Sequence, residues 1–254
     1  MLDFFGVLIP FLLIHIICDF YLQPNQWGEE RKGYTYRSPA LYLYSLLHGV
    51  ALIVPAALLG IDWRSVIYLV VIVTLSHCAF ELWKVTTKKA NKSSCFVIDQ
   101  ALHVSILAVF AFYVTDGITM NAVLQHEKFS DGVLVVFAYL LILKPSSVVI
   151  GRLLRNYPIA SSGSESDPSV SGLVAGGELI GYLERVLILT FTLVGSYAAV
   201  GFVLAAKSIF RFGELSKSND RSMTEYVLIG SLVSVVITTL VGTLVSLGLG
   251  NDIK

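Results

Sequence analysis

Seven stretches of this chain stay apolar for about twenty residues or more, and that property restricts the fold more than any other. They fall at about 3–23, 39–60, 63–84, 95–115, 131–154, 183–206 and 224–249. A helix crosses the hydrocarbon core of a bilayer with ~20 apolar residues. Lipid offers the backbone no hydrogen-bond partners, so spanning segments must satisfy themselves as helices or closed barrels. Runs of this length predict an all-α, polytopic integral membrane bundle of about seven transmembrane helices.

Composition agrees. Of 254 residues, 55% are apolar and only 14% charged, and mean hydropathy is +0.75. Soluble domains carry roughly 25% charged residues. The 18 Lys+Arg balance 18 Asp+Glu, which leaves no basic excess for a nucleic-acid partner. Cys18, Cys78 and Cys95 lie in or beside apolar segments and form neither a disulfide framework nor a CxxC knuckle; Cys18 and Cys78 read as small apolar packers. Residues 1–22 lack a basic n-region and an A-x-A site and carry His15 and Asp19, so they read as a retained helix and not as a secretory signal.

Two features punctuate the chain. Lys144-Pro145 interrupts the fifth apolar stretch and predicts a kink or break. The run Ser161-Ser162-Gly163-Ser164-Glu165-Ser166-Asp167-Pro168-Ser169 has the composition of a flexible linker. The expected organisation is front transmembrane helices over 1–155, a Ser-rich loop over 156–175 and rear helices over 176–254. Lys and Arg are enriched in the loops after the first, third, fifth and seventh stretches, including Arg31, Lys32, Arg37, Lys88, Lys89 and Lys92. By the positive-inside rule this puts the N-terminus outside and the C-terminus inside. Lys207, Arg211, Lys217 and Arg221 oppose that orientation for the last pair of helices.

Ionisable side chains within a membrane are costly and mark function by default. Here they gather in the front part. His15 and Asp19, His77 and Glu81, and Asp99 and His103 each stand four residues apart, on one face of a helix. His48, with Tyr44 one turn away, adds a fourth imidazole. At ~1.5 Å per residue all of these fall in the same, cytoplasmic half of the bilayer. His126 lies in a loop and reads as a surface residue. The segment His15-Ile16-Ile17-Cys18-Asp19-Phe20 also echoes His77-Cys78-Ala79-Phe80-Glu81-Leu82, as two related hairpins facing each other would.

Imidazole and carboxylate together are ligands for Zn, Mn, Fe or Co. The candidate ligands are His15, Asp19, His48, His77, Glu81, Asp99 and His103. They are too many for one tetrahedral ion and suit two ions, or one ion with carboxylates orienting its histidines. Metal-activated water then attacks a phosphoryl or acyl centre, with Glu81, Lys84 and Asp99 as catalytic candidates. Lys84 also stands where it can hold an anionic group, although a single lysine at that depth commonly snorkels to the interface. Gln23, Gln100, Glu178 and Arg185 are further substrate-binding candidates. Against this stands a structural reading, in which the pairs satisfy one another and cross-link helices, and Glu178 or Glu184 pairs with Arg185. Tyr21, Trp27, Tyr34, Tyr36, Tyr42, Tyr44 and Trp83 read as an interfacial aromatic belt.

The motifs His15-x-x-Cys18-Asp19-Phe20-x-Leu22-Gln23, His77-x-x-x-Glu81-x-x-Lys84 and Asp99-Gln100-x-x-His103 resemble a bacterial membrane family known as a domain of unknown function, number 3307. Ile180-Gly181-Tyr182-Leu183-Glu184-Arg185 and Glu225-Tyr226-Val227-Leu228-Ile229-Gly230 look like its longer members, so the resemblance extends over nearly the whole chain. Where this chain has Glu81 the family commonly has Asp, which changes ligand reach while keeping a carboxylate. The resemblance implies a bacterial source and the inner membrane, and brings no activity with it.

Three functions are compatible with these residues. One is a metal-dependent hydrolase of a lipid or lipid-linked phosphate or ester, working from the cytoplasmic leaflet with one or two transition-metal ions. The second is a metal-ion or proton transporter or channel using the same groups. The third is a sensor or partner subunit with a structural polar core; a homo-oligomer is compatible with any of them. The outer halves of the first two helices, Leu8-Ile9-Pro10-Phe11 and Val54-Pro55-Ala56-Ala57, are apolar. That favours the enzyme over a conduction path.

Overall fold

The computed structural model describes residues 4–22, 38–86, 92–115, 128–154, 168–215 and 221–250. Every regular element among them is helical. The order is α1 (Phe4–Ile16), which runs into a π-helical turn (Ile17–Tyr21), α2 (Pro39–Ala51), α3 (Ile53–Leu58), α4 (Trp63–Thr86), α5 (Lys92–Val114), α6 (Lys128–Ile142), α7 (Lys144–Leu154), α8 (Pro168–Leu193), α9 (Tyr197–Leu215) and α10 (Arg221–Gly248). Six candidate spans among the described residues are long and apolar enough to cross a membrane. The chain is therefore a polytopic helical membrane protein, as its hydropathy predicts.

Breaks in the helices have local causes. Pro145 has no N–H to give the carbonyl of Leu141 four residues back. The Ser146 hydroxyl donates to that carbonyl instead, at 2.9 Å, and the helix resumes as α7. Gly60 and Gly195 take left-handed φ values of 65° and 76°, which glycine adopts at little cost. At Gly195 the amide of Ser196 returns to Phe191 O at 2.8 Å, and that of Gly195 to Thr192 O at 3.1 Å. This is the Schellman closure of a helix end. The expected crossing at 183–206 is thus two helices, α8 and α9, which part at residues 194–196. Helix α8 begins at Pro168, so the expected 156–175 loop is helical from there. Residues 155–167 lie outside the described ones.

The chain divides into two compact units, Met1–Phe137 and Ala138–Lys254. The division falls within α6 and not at the Ser-rich run, because α7 packs on α10. In the first unit α2 packs along α4, α1 on α5, and α4 on α5. Val7, Leu8 and Phe11 of α1 meet Leu52, Ala56, Leu69, Val73, Leu107 and Ala111 in one apolar cluster. On each helix these residues lie on the same side of the histidine, so they close one end of the bundle. In the second unit α8 packs along α10 and against α9. Ile188, Leu189, Thr192, Thr238 and Val245 are buried there.

Candidate metal centre

The four histidines of the first unit form one cluster. The rings of His77 and His103 stack with centroids 3.6 Å apart and planes 8° from parallel. His48 also stacks on His77, with centroids 4.0 Å apart and planes 30° from parallel. His15 stands 5.6–5.8 Å from each of the other three. All four are buried. They enclose a cavity of about 10 Å³ whose remaining wall is Leu52, Val73, Ser76, Ile106 and Leu107. That is room for about one water molecule or one ion.

The orientation of each ring leaves a nitrogen for a ligand. His48 Nδ1 lies 2.9 Å from the Tyr44 carbonyl. A carbonyl only accepts, so this nitrogen carries the proton and Nε2 keeps its lone pair. His103 Nε2 lies 3.0 Å from Asp99 Oδ1, which by the same reasoning leaves Nδ1 as the lone-pair nitrogen. His15 Nε2, His48 Nε2, His77 Nε2 and His103 Nδ1 are buried without a hydrogen-bond partner. Such orphaned atoms are rare in folded proteins and call for an explanation. Ligand atoms of His15, His48 and His77 all lie within 4.8 Å of one another, so this group could hold a metal ion.

The carboxylates stand around the imidazoles. Asp19 accepts from the Tyr44 hydroxyl and from Gln100 Nε2 at 2.6 Å; Oδ1 lies 3.8 Å from His48 Nε2. Its position depends on the π-helical turn, where Leu22 N bonds to Ile17 O at 2.9 Å. From this turn Asp19 makes contacts across the bundle, to Tyr44 of α2 and Gln100 of α5. Lys84 bridges two acids, donating to Glu81 Oε1 and to Asp99 Oδ2 at 3.0 Å. It faces inward; the side chain is 26% exposed. The orphaned nitrogens and the cavity size fit a metal ion.

Tyr44 belongs to this site and not to the aromatic belt: it is 2% exposed and packs on His48 at 4.4 Å between centroids. Its spacing of four from His48 was the available signal. Tyr42 and Trp83 are exposed, as belt residues are. Cys18 is buried. Gln23, His126, Trp27, Tyr34, Tyr36, Lys88 and Lys89 lie outside the described residues. Glu178 and Arg185 belong to the second unit and bond within it. Glu178 accepts from Tyr182, Glu184 pairs with Lys207, and Arg185 bonds to two serines. The expected Glu–Arg pairing is replaced by these contacts.

The class defined by fold and site is a helical membrane protein with a buried histidine cluster able to hold a metal. Residues 7–130 match the family described as a protein of unknown function (DUF3307), and the chain belongs to that family through this domain. The match takes in all four clustered histidines, Asp19, Glu81, Lys84 and Asp99; the Ile180–Arg185 and Glu225–Gly230 motifs lie beyond it. No curated protein and no solved structure matches the chain.

Proposed function

We propose that the first unit is a metal-dependent intramembrane hydrolase acting on a lipid or lipid-linked phosphate or ester from the cytoplasmic leaflet. The observation that carries this reading is the one-sidedness of the site. The imidazole cavity ends against the apolar cluster of Leu52, Val73 and Leu107. The charged groups around it are Asp19, Glu81, Lys84 and Asp99, on the side away from that cluster. A conduction path needs polar groups through both halves of the membrane, and the buried histidines and their charged partners lie in one.

In this reading His15, His48 and His77 hold the ion, which supplies water of lowered pKa and polarises the bond to be cleaved. His103 closes the cavity beside them, its lone pair at Nδ1 fixed by the proton that Nε2 gives to Asp99. The Tyr44 carbonyl orients His48 through its Nδ1 proton, as outer partners of metal-bound histidines do, and Asp19, 3.8 Å from Nε2, stands on the ion's side of that ring. Glu81 is the acid for proton transfer, and Lys84 is the cation that an anionic substrate group meets at the mouth.

The test is elemental analysis of detergent-purified protein followed by hydrolysis assays on phospholipid and lipid-phosphate substrates. Zn, Mn, Fe or Co at one or two per chain is expected, with turnover lost in Glu81→Gln and folding kept. Metal or proton flux into proteoliposomes, lost in the same variant and without hydrolysis, would make the protein a transporter. Folded, metal-free protein with neither activity would make the cluster structural.

A further inference from the structure

The second unit buries a guanidinium that no carboxylate of its described residues contacts directly. Arg185 of α8 is 4% exposed. Nη2 donates to Ser147 Oγ of α7 at 2.7 Å, and Nη1 to Ser234 Oγ of α10 at 3.3 Å. The guanidinium lies 5.1 Å from the centre of the Tyr182 ring. Nε is buried without a partner. Every one of these neighbours is formally neutral, and among the described residues no carboxylate forms an ion pair with Arg185. The acids on its own helix are engaged elsewhere. Glu184 pairs with Lys207, and adjacent positions on a helix face apart. Glu178 accepts from the Tyr182 hydroxyl and lies seven positions back, ~10 Å along the axis. A buried cation held only by neutral groups is costly, above all in a membrane.

We infer that Arg185, Ser147 and Ser234 form a binding site for a phosphate-type oxyanion, independent of the metal-centre reading. A serine oxygen that accepts from a guanidinium still has its own proton to donate. The Ser147 hydroxyl faces the Tyr182 oxygen and fixes the guanidinium, whereas the Ser234 O–H and the Arg185 Nε–H remain to be used. Donors from α8 and α10 around one positive charge suit a group with several equivalent oxygens. The fork of arginine is also the usual partner of phosphate. The phosphodiester of an anionic lipid headgroup and free inorganic phosphate share this chemistry.

Full-length protein in a neutral detergent is titrated with phosphatidylglycerol, phosphatidylcholine and inorganic phosphate, and thermal unfolding and lipid retention in native mass spectrometry are recorded. A hundredfold excess over Kd is expected to raise the midpoint by about 5–10 °C. A response to phosphatidylglycerol alone assigns a lipid headgroup; a response to phosphate as well assigns the free ion. Ser147→Ala/Ser234→Ala keeps the arginine and is expected to weaken binding at least tenfold. Arg185→Lys keeps the charge without the fork and is expected to weaken it similarly. Equal responses in wild type and the double variant would overturn the site, as would no response of wild type to either anion. If Arg185→Lys is too unstable to purify, the double variant alone decides.

Discussion

The two units handle buried charge in opposite ways. The first gathers three carboxylates, four imidazoles and one lysine, and leaves four buried ring nitrogens without a hydrogen-bond partner. The second sets one guanidinium among hydroxyls, with no carboxylate of the described residues in ion-pair contact. Each would cost stability in lipid if nothing met it. Similar apolar helices thus carry polar cores of opposite appetite, one toward a cation and one toward an anion. What a membrane bundle binds is decided by the few ionisable positions that its helices bring to one depth.

The largest effect that tests this contrast is loss of the metal. His15→Ala/His77→Ala removes two of the three converging ligands. Metal content after dialysis should fall from one or two per chain to background, while the anion response of the second unit stays. Retention of the metal would mean that the ion sits elsewhere, and loss of both responses would join the two sites into one. A step down in size comes Asp99→Asn. The amide no longer offers Lys84 and His103 an anionic oxygen. Replacing the outer partner of a metal-bound histidine typically costs 10–100-fold in metal affinity; His103 stands beside the ion and does not hold it, so a loss of about tenfold, at the low end, is expected. A change below threefold, measured by competition with a chromophoric chelator, would leave Asp99 as a partner of Lys84 alone.

Much of this was legible in the chain. Apolar runs of membrane length place the helices, and histidines and acids at a shared depth place the cluster. What stayed hidden is set by interactions that hydropathy does not encode. The π-helical turn at Ile17–Tyr21 shifts hydrogen bonding by one residue in a run of unchanged apolarity. Tyr44 sits among other tyrosines and, beyond its spacing of four from His48, is told apart by its contacts with Asp19 and His48. Lys84 turns inward because two acids from α4 and α5 meet there, which one helix's sequence cannot show. Gly195 ends α8 inside a continuous apolar stretch, and glycine is too common in membrane helices to mark a stop. Ser147 and Ser234 become partners of Arg185 only once α7 and α10 are packed around α8.

The smallest effect concerns how closely the helices of each unit approach. Both use a glycine against a threonine. A Cβ on Gly49 would stand 2.1 Å from Thr74 Oγ1 and 2.8 Å from the Val70 carbonyl oxygen. A Cβ on Gly242 would stand 2.8 Å from Thr192 Cγ2 and 3.0 Å from its Cβ. Alanine is the better helix former by ~1 kcal/mol, which opposes the clash at both sites. Thr74 can rotate its hydroxyl away, since that oxygen has no partner to lose, but the backbone of α4 at Val70 cannot yield without moving the helix that carries His77. Thr192 is pinned by its bond to Ile188 O at 2.7 Å, yet only side-chain atoms crowd the added methyl. Gly49→Ala should therefore destabilise by about 1–3 kcal/mol, within the overpacking range, and weaken metal binding with it. Gly242→Ala should cost ~1 kcal/mol or less, after the same helix-forming gain, and leave the metal untouched. Thermal unfolding of both variants beside metal titrations decides the matter. Equal losses of stability, or a loss of metal in Gly242→Ala, would mean that the α2–α4 approach does not set the geometry of the imidazole cluster.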